Sequence, residues 1–181
     1  MASKTLLTVE QFDRLPAEEV LRYELDRGEL VAGSGPSYQH NYIRDTIVWL
    51  LRSFLSGKRL GEVIAEQEFR IDHDTVRRPD VAFIRTEAVS RIDRSKSILD
   101  VIPHLVVEIV SPNDAAEYVM RKVDQYLARG VQTVWIIYPG ERKVLVYGPN
   151  DELRVAGEAK NVEFPAVLPG FSVPVSQLFE E

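Results

Sequence analysis

One residue of the segment "PHLVVEIVSPND", positions 103–114, conflicts with its surroundings. Leucine, valine and isoleucine stand on both sides of Glu108, and such an apolar run predicts a strand buried within a sheet. An ionised carboxylate in that position costs free energy unless a partner group or a cation compensates its charge. Glu108 therefore constrains the whole fold, because the chain must bring a compensating group to the interior of its own sheet.

Length and composition are those of one globular domain covering residues 1–181. The 181 residues are 45% hydrophobic and 28% charged, and the net charge is -6. No apolar run approaches the roughly 20 residues that span a bilayer, and the N-terminus is too polar for a secretory signal. The chain has no cysteine, which excludes disulfides and thiolate zinc sites. We expect a soluble cytoplasmic protein with at most a local basic cleft for nucleic acid.

Periodicity predicts three helices. Thr8 and Gln11 have the spacing of a capping box, so a short helix is expected to begin there and to end near Pro16. "HNYIRDTIVWLLRSFLSG" has helical apolar spacing and a stop at Gly57. "SPNDAAEYVMRKVDQYLARG" predicts a helix that is capped by its Ser-Pro-Asn-Asp segment and ends at Gly130.

Strand patterns occupy most of the remaining chain. Two short strands are expected around the turn at residues 26–28, followed after the first long helix by "EVIAEQEFRI" as one strand, and then by "PDVAFIR" and "HLVVEIV". A hairpin surrounds residues 139–140, and short strands precede a C-terminal loop. This order predicts one mixed α/β domain with a central mixed β-sheet flanked by helices.

A second carboxylate accompanies Glu108 on the neighbouring predicted strand. Asp80 follows Pro79 and opens "DVAFI". If the two strands pair, two charges about 4 Å apart repel by roughly 4 kcal/mol at an effective dielectric near 20. A shared proton, a basic group or a divalent cation can compensate them. The alternative is that each carboxylate lies at a strand end and is partly solvated.

The helix after the Glu108 strand carries a lysine on its apolar face. At 100° per residue, one face contains Ala115, Tyr118, Val119, Lys122 and Tyr126. The Lys122 ammonium can extend to solvent, or it can reach the carboxylates, where it would orient a water or stabilise charge on a phosphoryl group.

The ordered segments "YELDRGELV", "SYQHNYI", "RRPDVAFI", "LVVEIVSPND", "KVDQYLARGVQTVWIIYP" and "LPGFSVPVSQLF" resemble the Uma-two family of restriction-endonuclease-like proteins. This family is part of the PD-(D/E)XK nuclease superfamily, and the resemblance covers nearly the whole chain. The superfamily places a lysine two residues after the glutamate, where this chain has Val110. Lys122 is the position that matches the lysine of the family.

The resemblance implies a restriction-endonuclease-like fold and metal-dependent hydrolysis of phosphodiester bonds, with Mg²⁺ or Mn²⁺ as cofactor and DNA as the expected nucleic-acid partner. It implies that Asp80, Glu108 and the Ile109 carbonyl are metal ligands, and that Lys122 is catalytic. Glu24 matches a family position as an outer ligand or a base, and Glu66 is a weaker candidate.

Further residues are expected on the substrate side of the site. His40 matches a family position and is expected to contact substrate or to cap the long helix. Arg77 and Arg78 are the predicted phosphate contacts. Tyr126 is placed beside the substrate, packing against or hydrogen-bonding Lys122. The loop with Arg91, Arg94 and Lys96 offers further phosphate contacts, although such runs are commonly solvated surface.

Two alternative functions remain open at this stage. One is a hydrolase of RNA or of another phosphodiester on the same scaffold. The other is a nuclease-like interaction module without turnover, an alternative that the acidic net charge leaves open. No segment predicts base specificity, and a homodimer is expected on symmetry grounds alone.

Overall fold

The computed structural model describes residues 6–33 and 35–180, and strands outnumber helices in these ranges. The helices are α1 (Val9–Phe12), α2 (Ala17–Val20), α3 (Tyr38–Leu55), α4 (Thr86–Val89) and α5 (Ala116–Ala128), and a 3-10 helix covers Val175–Leu178. The strands are β1 (Tyr23–Asp26), β2 (Glu29–Ala32), β3 (Gly61–Ala65), β4 (Glu68–Asp72), β5 (Thr75–Arg77), β6 (Val81–Arg85), β7 (Ile98–Leu99), β8 (Leu105–Ile109), β9 (Thr133–Tyr138), β10 (Lys143–Tyr147), β11 (Leu153–Gly157), β12 (Asn161–Glu163) and β13 (Ser172–Pro174).

The strands form two large sheets and one ribbon. The six-stranded sheet has the order β11-β10-β9-β8-β6-β3, the five-stranded sheet β2-β1-β5-β4-β7, and β12 pairs with β13. Both large sheets are mixed: β8 and β9 are parallel, as are β4 and β7, while the other pairs are antiparallel. The predicted mixed α/β class with a central mixed β-sheet flanked by helices is confirmed, and β1, β2, β4, β5 and β7 form a second sheet that was not predicted.

The two sheets are connected at Glu66, where the sequence predicted one continuous strand. Glu66 has a φ of 55°, a left-handed conformation that no strand accommodates. The chain therefore leaves the six-stranded sheet after β3 and enters the five-stranded sheet as β4. Glutamate is not a typical turn residue, so the sequence does not reveal that the chain changes sheets at Glu66.

The two long helices cover opposite faces of the six-stranded sheet. Ile43 and Ile47 of α3 belong to the same buried cluster as Val107 of β8, whereas Val123 of α5 belongs to the cluster that contains Val106. Because consecutive strand residues point to opposite faces, α3 and α5 lie on the two sides of β8. None of the helices in residues 6–33 and 35–180 is long and apolar enough to span a membrane.

The helix ends agree only partly with the predicted caps. The capping box of Thr8 and Gln11 is confirmed. The predicted cap of α5 is wrong: the helix starts after Ala115, which offers no side-chain cap, and the Asp114 carboxylate instead accepts a hydrogen bond from the Ser111 amide at 2.8 Å. The predicted C-terminal loop contains β13 and the 3-10 helix.

Candidate active site

Antiparallel pairing of β6 with β8 brings the two predicted carboxylates together. Val81 lies opposite Val107, so Asp80 and Glu108 are the next pair along the register. The Asp80 Oδ2 atom accepts a hydrogen bond from the Ile109 amide at 2.6 Å. The Asp80 and Glu108 side chains are 13% and 11% exposed, so this end of the two strands reaches the surface while remaining mostly enclosed.

Glu108 is held by two side chains of α5. Its Oε2 atom accepts from the Lys122 ammonium at 2.9 Å, and its Oε1 atom accepts from the Tyr126 hydroxyl at 2.6 Å. Burial raises the pKa of Glu108 to about 7, with the charges of Glu24 and Asp80 adding to the rise and Lys122 opposing it. One cation is thus insufficient to compensate the carboxylates gathered around Glu108.

Lys122 points inward and joins the two sheets. Its Nζ atom lies 2.9 Å from Glu108 of β8 and 3.2 Å from Glu24 of β1. Burial opposes the charged form, but the carboxylates of Glu108 and Glu24 outweigh it and raise the pKa of Lys122. The raised pKa of Lys122 keeps the ammonium protonated at neutral pH.

Glu24 is surrounded by donors. Its Oε2 atom lies 3.0 Å from Arg77 Nη1 and accepts from the Tyr118 hydroxyl at 2.8 Å, and its Oε1 atom accepts from the Arg78 amide at 2.8 Å. Burial raises the pKa of Glu24, but the charges of Lys122 and Arg77 and these hydrogen bonds overcome that effect and lower it to about 2. With this pKa Glu24 is ionised at neutral pH, whereas the pKa of Glu108 lies near neutrality.

Arg77 does not contact substrate, and this prediction is wrong. Its side chain is 0% exposed, 2.8 Å from Asp26 and 3.0 Å from Glu24. The Gln125 side chain accepts two further hydrogen bonds from the guanidinium, at 2.9 and 2.6 Å. The positive charge of Arg77 is thus compensated by carboxylates within the protein, and its full burial keeps phosphate groups away from it.

Arg78 is also used internally. Its guanidinium lies 2.5 Å from Glu68 and donates to the carbonyls of Val20 and Leu21 at 2.5 and 2.8 Å, which fixes the end of α2. These contacts direct the guanidinium toward internal partners, while its Nε atom has no hydrogen-bond partner among the described residues. The predicted phosphate contact of Arg78 stays a prediction.

Tyr126 is fully buried and hydrogen-bonds Glu108, whereas the prediction placed it against Lys122 and substrate. The helix face that carries Tyr126 was predicted correctly. Helical spacing does not reveal whether the hydroxyl contacts Lys122 or Glu108. Tyr126 orients the carboxylate from inside the protein, so the assignment to the substrate side is wrong.

His40 contacts Asp80 from the other face of the sheet. Its Nε2 atom lies 3.2 Å from Asp80 Oδ1, and its Nδ1 atom is buried without a hydrogen-bond partner among the described residues. Burial lowers the pKa of His40, but Asp80 and Glu66 outweigh it and raise the pKa overall. The cap of α3 is the Ser37 hydroxyl, not His40.

Several residues at the site were not among the predicted site residues. Asp26, Tyr118 and Gln125 complete the buried network around Arg77. Arg44 lies 3.1 Å from Glu66, whose amide donates to the Asp80 carbonyl at 3.3 Å. Arg44 could have been predicted to lie near the site only from its position four residues after His40, which places both residues on the same face of a helix.

Two basic residues of the loop between α4 and β7 form surface ion pairs. Arg94 lies 2.9 Å from Glu62, which is opposite Ile84 toward the far end of β6 from Asp80. Lys96 lies 3.1 Å from Asp100. Among the described residues, neither side chain has a contact that links it to the carboxylate pair.

The donor set at Asp80 and Glu108 suits a hard divalent cation. Carboxylate oxygens are the ligands of Mg²⁺ and Mn²⁺. Burial is the main cause of the raised pKa of Glu108, and the charges of Glu24 and Asp80, which a cation would compensate, add to it. Among the described residues, the group of three ligand side chains within mutual reach is instead Asp72, His73 and Asp74. That group is on the surface, and Asp72 already forms an ion pair with Arg129.

The comparisons with known proteins agree with this arrangement. No curated protein sequence matches the chain. A crystal structure described as "a putative nuclease belonging to DUF820 from Anabaena variabilis ATCC 29413" is similar with a TM-score of 0.83, over 96% of this chain and 97% of that chain. The two sequences are 23% identical, a level at which the likeness establishes the fold. A family model described as "Putative restriction endonuclease" matches residues 9–176. The chain belongs to this family, Uma2.

Proposed function

We propose that the protein is an endonuclease that hydrolyses phosphodiester bonds in DNA with a divalent cation. The observation that carries the proposal is the contact of the largely buried Lys122 ammonium with Glu108, the residue that lies opposite Asp80 in the strand register. Two carboxylates and an ammonium at one partly open strand end are the groups that phosphodiester hydrolysis requires. The description of the family supports the reaction class.

The cation would be Mg²⁺ or Mn²⁺, held by Asp80, Glu108 and the Ile109 carbonyl. When bound, it supplies a polarised water and compensates charge on the phosphoryl oxygens. The Ile109 amide already binds Asp80, so the strand that offers the carbonyl also fixes the first carboxylate.

The residues of the chain provide orientation and positive charge. Lys122 is held between Glu108 and Glu24, so its ammonium is already in place when substrate binds and needs no reorganisation during the reaction. An ammonium in such a site stabilises negative charge that develops on the phosphoryl group. Tyr126 and His40 position Glu108 and Asp80 from opposite faces of the sheet.

The test is nicking of a supercoiled plasmid with Mg²⁺ or Mn²⁺. Asp80→Ala and Glu108→Ala are expected to lower the rate by about 100-fold or more, since each removes a ligand or a charge that acts in the transition state. Glu158→Ala, at an exposed carboxylate paired with Arg142, is expected to keep the full rate. Circular dichroism confirms that each variant is folded.

Persistence of nicking in both site variants would assign the activity to another site or to a contaminant. RNA and a model phosphodiester are assayed in parallel, because cleavage of either without DNA cleavage would change the substrate class. A wild type that is inactive on all three substrates would contradict the proposal and favour the interaction module.

A further inference from the structure

Arg44 lies one helical turn after His40 on α3, on the side that faces the carboxylate pair. Residues four apart on a helix are neighbours, and the His40 ring contacts Asp80. The Arg44 guanidinium lies 3.1 Å from the Glu66 carboxylate, and the Glu66 amide donates to the Asp80 carbonyl at 3.3 Å. Arg44 thus reaches the residue that is hydrogen-bonded to Asp80.

The other cations around the site are committed to internal partners. Arg77 is enclosed by Glu24 and Asp26, and Lys122 lies between Glu24 and Glu108. Substrate phosphates carry negative charge close to the carboxylate pair, so a further cation is required at the surface there. Of the two arginines that the sequence suggested for this purpose, Arg77 is fully enclosed and Arg78 is paired with Glu68.

The ion pairs of Arg44 differ from those buried pairs, because their carboxylates face solvent. The Asp45 and Glu66 side chains are 70% and 42% exposed, and they lie 2.9 and 3.1 Å from the guanidinium. Surface ion pairs of this kind contribute little free energy and exchange readily with another anion. A guanidinium offers a planar pair of donors that matches a phosphate group.

We propose that Arg44 binds a backbone phosphate of the nucleic-acid substrate beside Asp80, and that Glu66 holds the guanidinium until the phosphate replaces it. The inference rests on the proposed nuclease function and names the substrate contact that this function lacks. Glu66 and the phosphate compete for the same donors. Loss of Arg44 therefore weakens substrate binding, and loss of the Glu66 charge strengthens it.

Binding is measured by fluorescence anisotropy with a labelled DNA duplex in buffer that contains Ca²⁺ in place of Mg²⁺, over a series of salt concentrations. Arg44→Ala is expected to raise the Kd about tenfold and to reduce the slope of log K against log salt by about 0.9, the value for one phosphate contact. Arg44→Lys keeps the charge and should lose less affinity. Glu66→Gln should lower the Kd severalfold.

Arg154→Ala is the matched control. Arg154 is a surface arginine with a carboxylate partner, Glu152 at 3.2 Å, and it lies on β11 at the opposite edge of the six-stranded sheet from β3. Its Kd and its salt slope are expected to equal those of the wild type. Thermal melting of every variant accompanies the binding data.

An Arg44→Ala variant that keeps both the Kd and the salt slope, or that loses only kcat, would overturn the inference while wild-type cleavage left the proposed function intact. If Arg44→Ala does not fold, Glu66→Gln decides: unchanged or weaker binding overturns the inference. A wild type that neither binds nor cleaves DNA or RNA would contradict the proposed function itself, and the inference with it.

Discussion

At the scale of single residues, two carboxylates hold the same ammonium and have opposite pKa displacements. Glu24 has Lys122, Arg77 and backbone and hydroxyl donors, which together overcome burial and lower its pKa to about 2. Glu108 is buried beside two other carboxylates, and its pKa is raised to about 7. The difference lies in the number of cations: Glu24 has two within contact, and Glu108 has one.

The lowered pKa of Glu24 predicts an acid-sensitive contribution to stability. A group whose folded pKa lies below its unfolded value of 4.5 stabilises the protein fully above pH 4.5, and this contribution is lost as the pH falls toward 2. Glu24→Gln is expected to lower the free energy of unfolding by about 3 kcal/mol at pH 7, because it leaves Arg77 and Lys122 undercompensated. The difference from the wild type should shrink between pH 4.5 and pH 2.

Urea unfolding at several pH values measures this difference. Glu158→Gln serves as the control, since its carboxylate is exposed and its surface ion pair with Arg142 contributes little at any pH. A Glu24→Gln penalty that stays constant as the pH falls through this range would show that packing, and not charge, accounts for it.

The sequence sufficed for residues whose chemistry conflicts with their neighbours. Asp80, Glu108 and Lys122 are charged groups on apolar strands or on an apolar helix face, and the structure brings all three together. It did not suffice for Arg77, because adjacent arginines beside a proline have the pattern of an exposed turn. Complete burial of Arg77 depends on Glu24 and Asp26, which are about 50 positions away in the chain and have no periodic relation to it.

At the scale of secondary-structure elements, β3 is the edge strand that supports β6 and its leading Asp80. Gly61 begins β3 opposite Arg85, with a φ of 154°. A Cβ atom at this position would lie 2.1 Å from the Ile84 carbonyl oxygen and 2.7 Å from the Phe83 ring. Only glycine permits so close an approach of β3 to β6.

We therefore expect Gly61→Ala to destabilise the protein by about 3 kcal/mol, since the backbone of β3 must shift away from β6 to remove the contact. Chemical unfolding gives the free energy. Gly157→Ala on β11 is the matched control, because a Cβ there meets no atom within 4 Å. Equal stability of the two alanine variants would contradict the steric argument.

The long elements were predictable and the junctions between them were not. Helical periodicity identified α3 and α5, whose apolar faces cover the sheet on both sides. The break at Glu66 was missed because it depends on one left-handed residue. Glutamate is not a residue type that marks this conformation, so tertiary packing and not local preference determines it.

At the scale of the whole molecule, the candidate site lies where the two sheets meet. The five-stranded sheet supplies Glu24 and Arg77. The six-stranded sheet supplies Glu108, and Asp80 lies opposite it, directly before the start of β6. Lys122 contacts carboxylates of both sheets. The sequence predicted the central sheet but not the second one, because strand patterns do not reveal which strands pair, so the boundary between the two sheets could not be predicted.

The hydrogen bond between the Glu66 amide and the Asp80 carbonyl closes a loop that contains the whole β4–β5 hairpin. Asp80, which accepts this hydrogen bond, is one of the residues that we propose as cation ligands. A ligand that binds only the closed form stabilises it, so the opening of this hairpin is coupled to occupancy of the site. Mg²⁺ should slow amide hydrogen exchange in residues 68–77 severalfold in the wild type and leave it unchanged in Asp80→Ala. Equal exchange with and without Mg²⁺ in the wild type would show that the hairpin opens independently. If the two are coupled, hydrogen exchange in the five-stranded sheet reports whether a cation is bound at the ends of β6 and β8 in the six-stranded sheet.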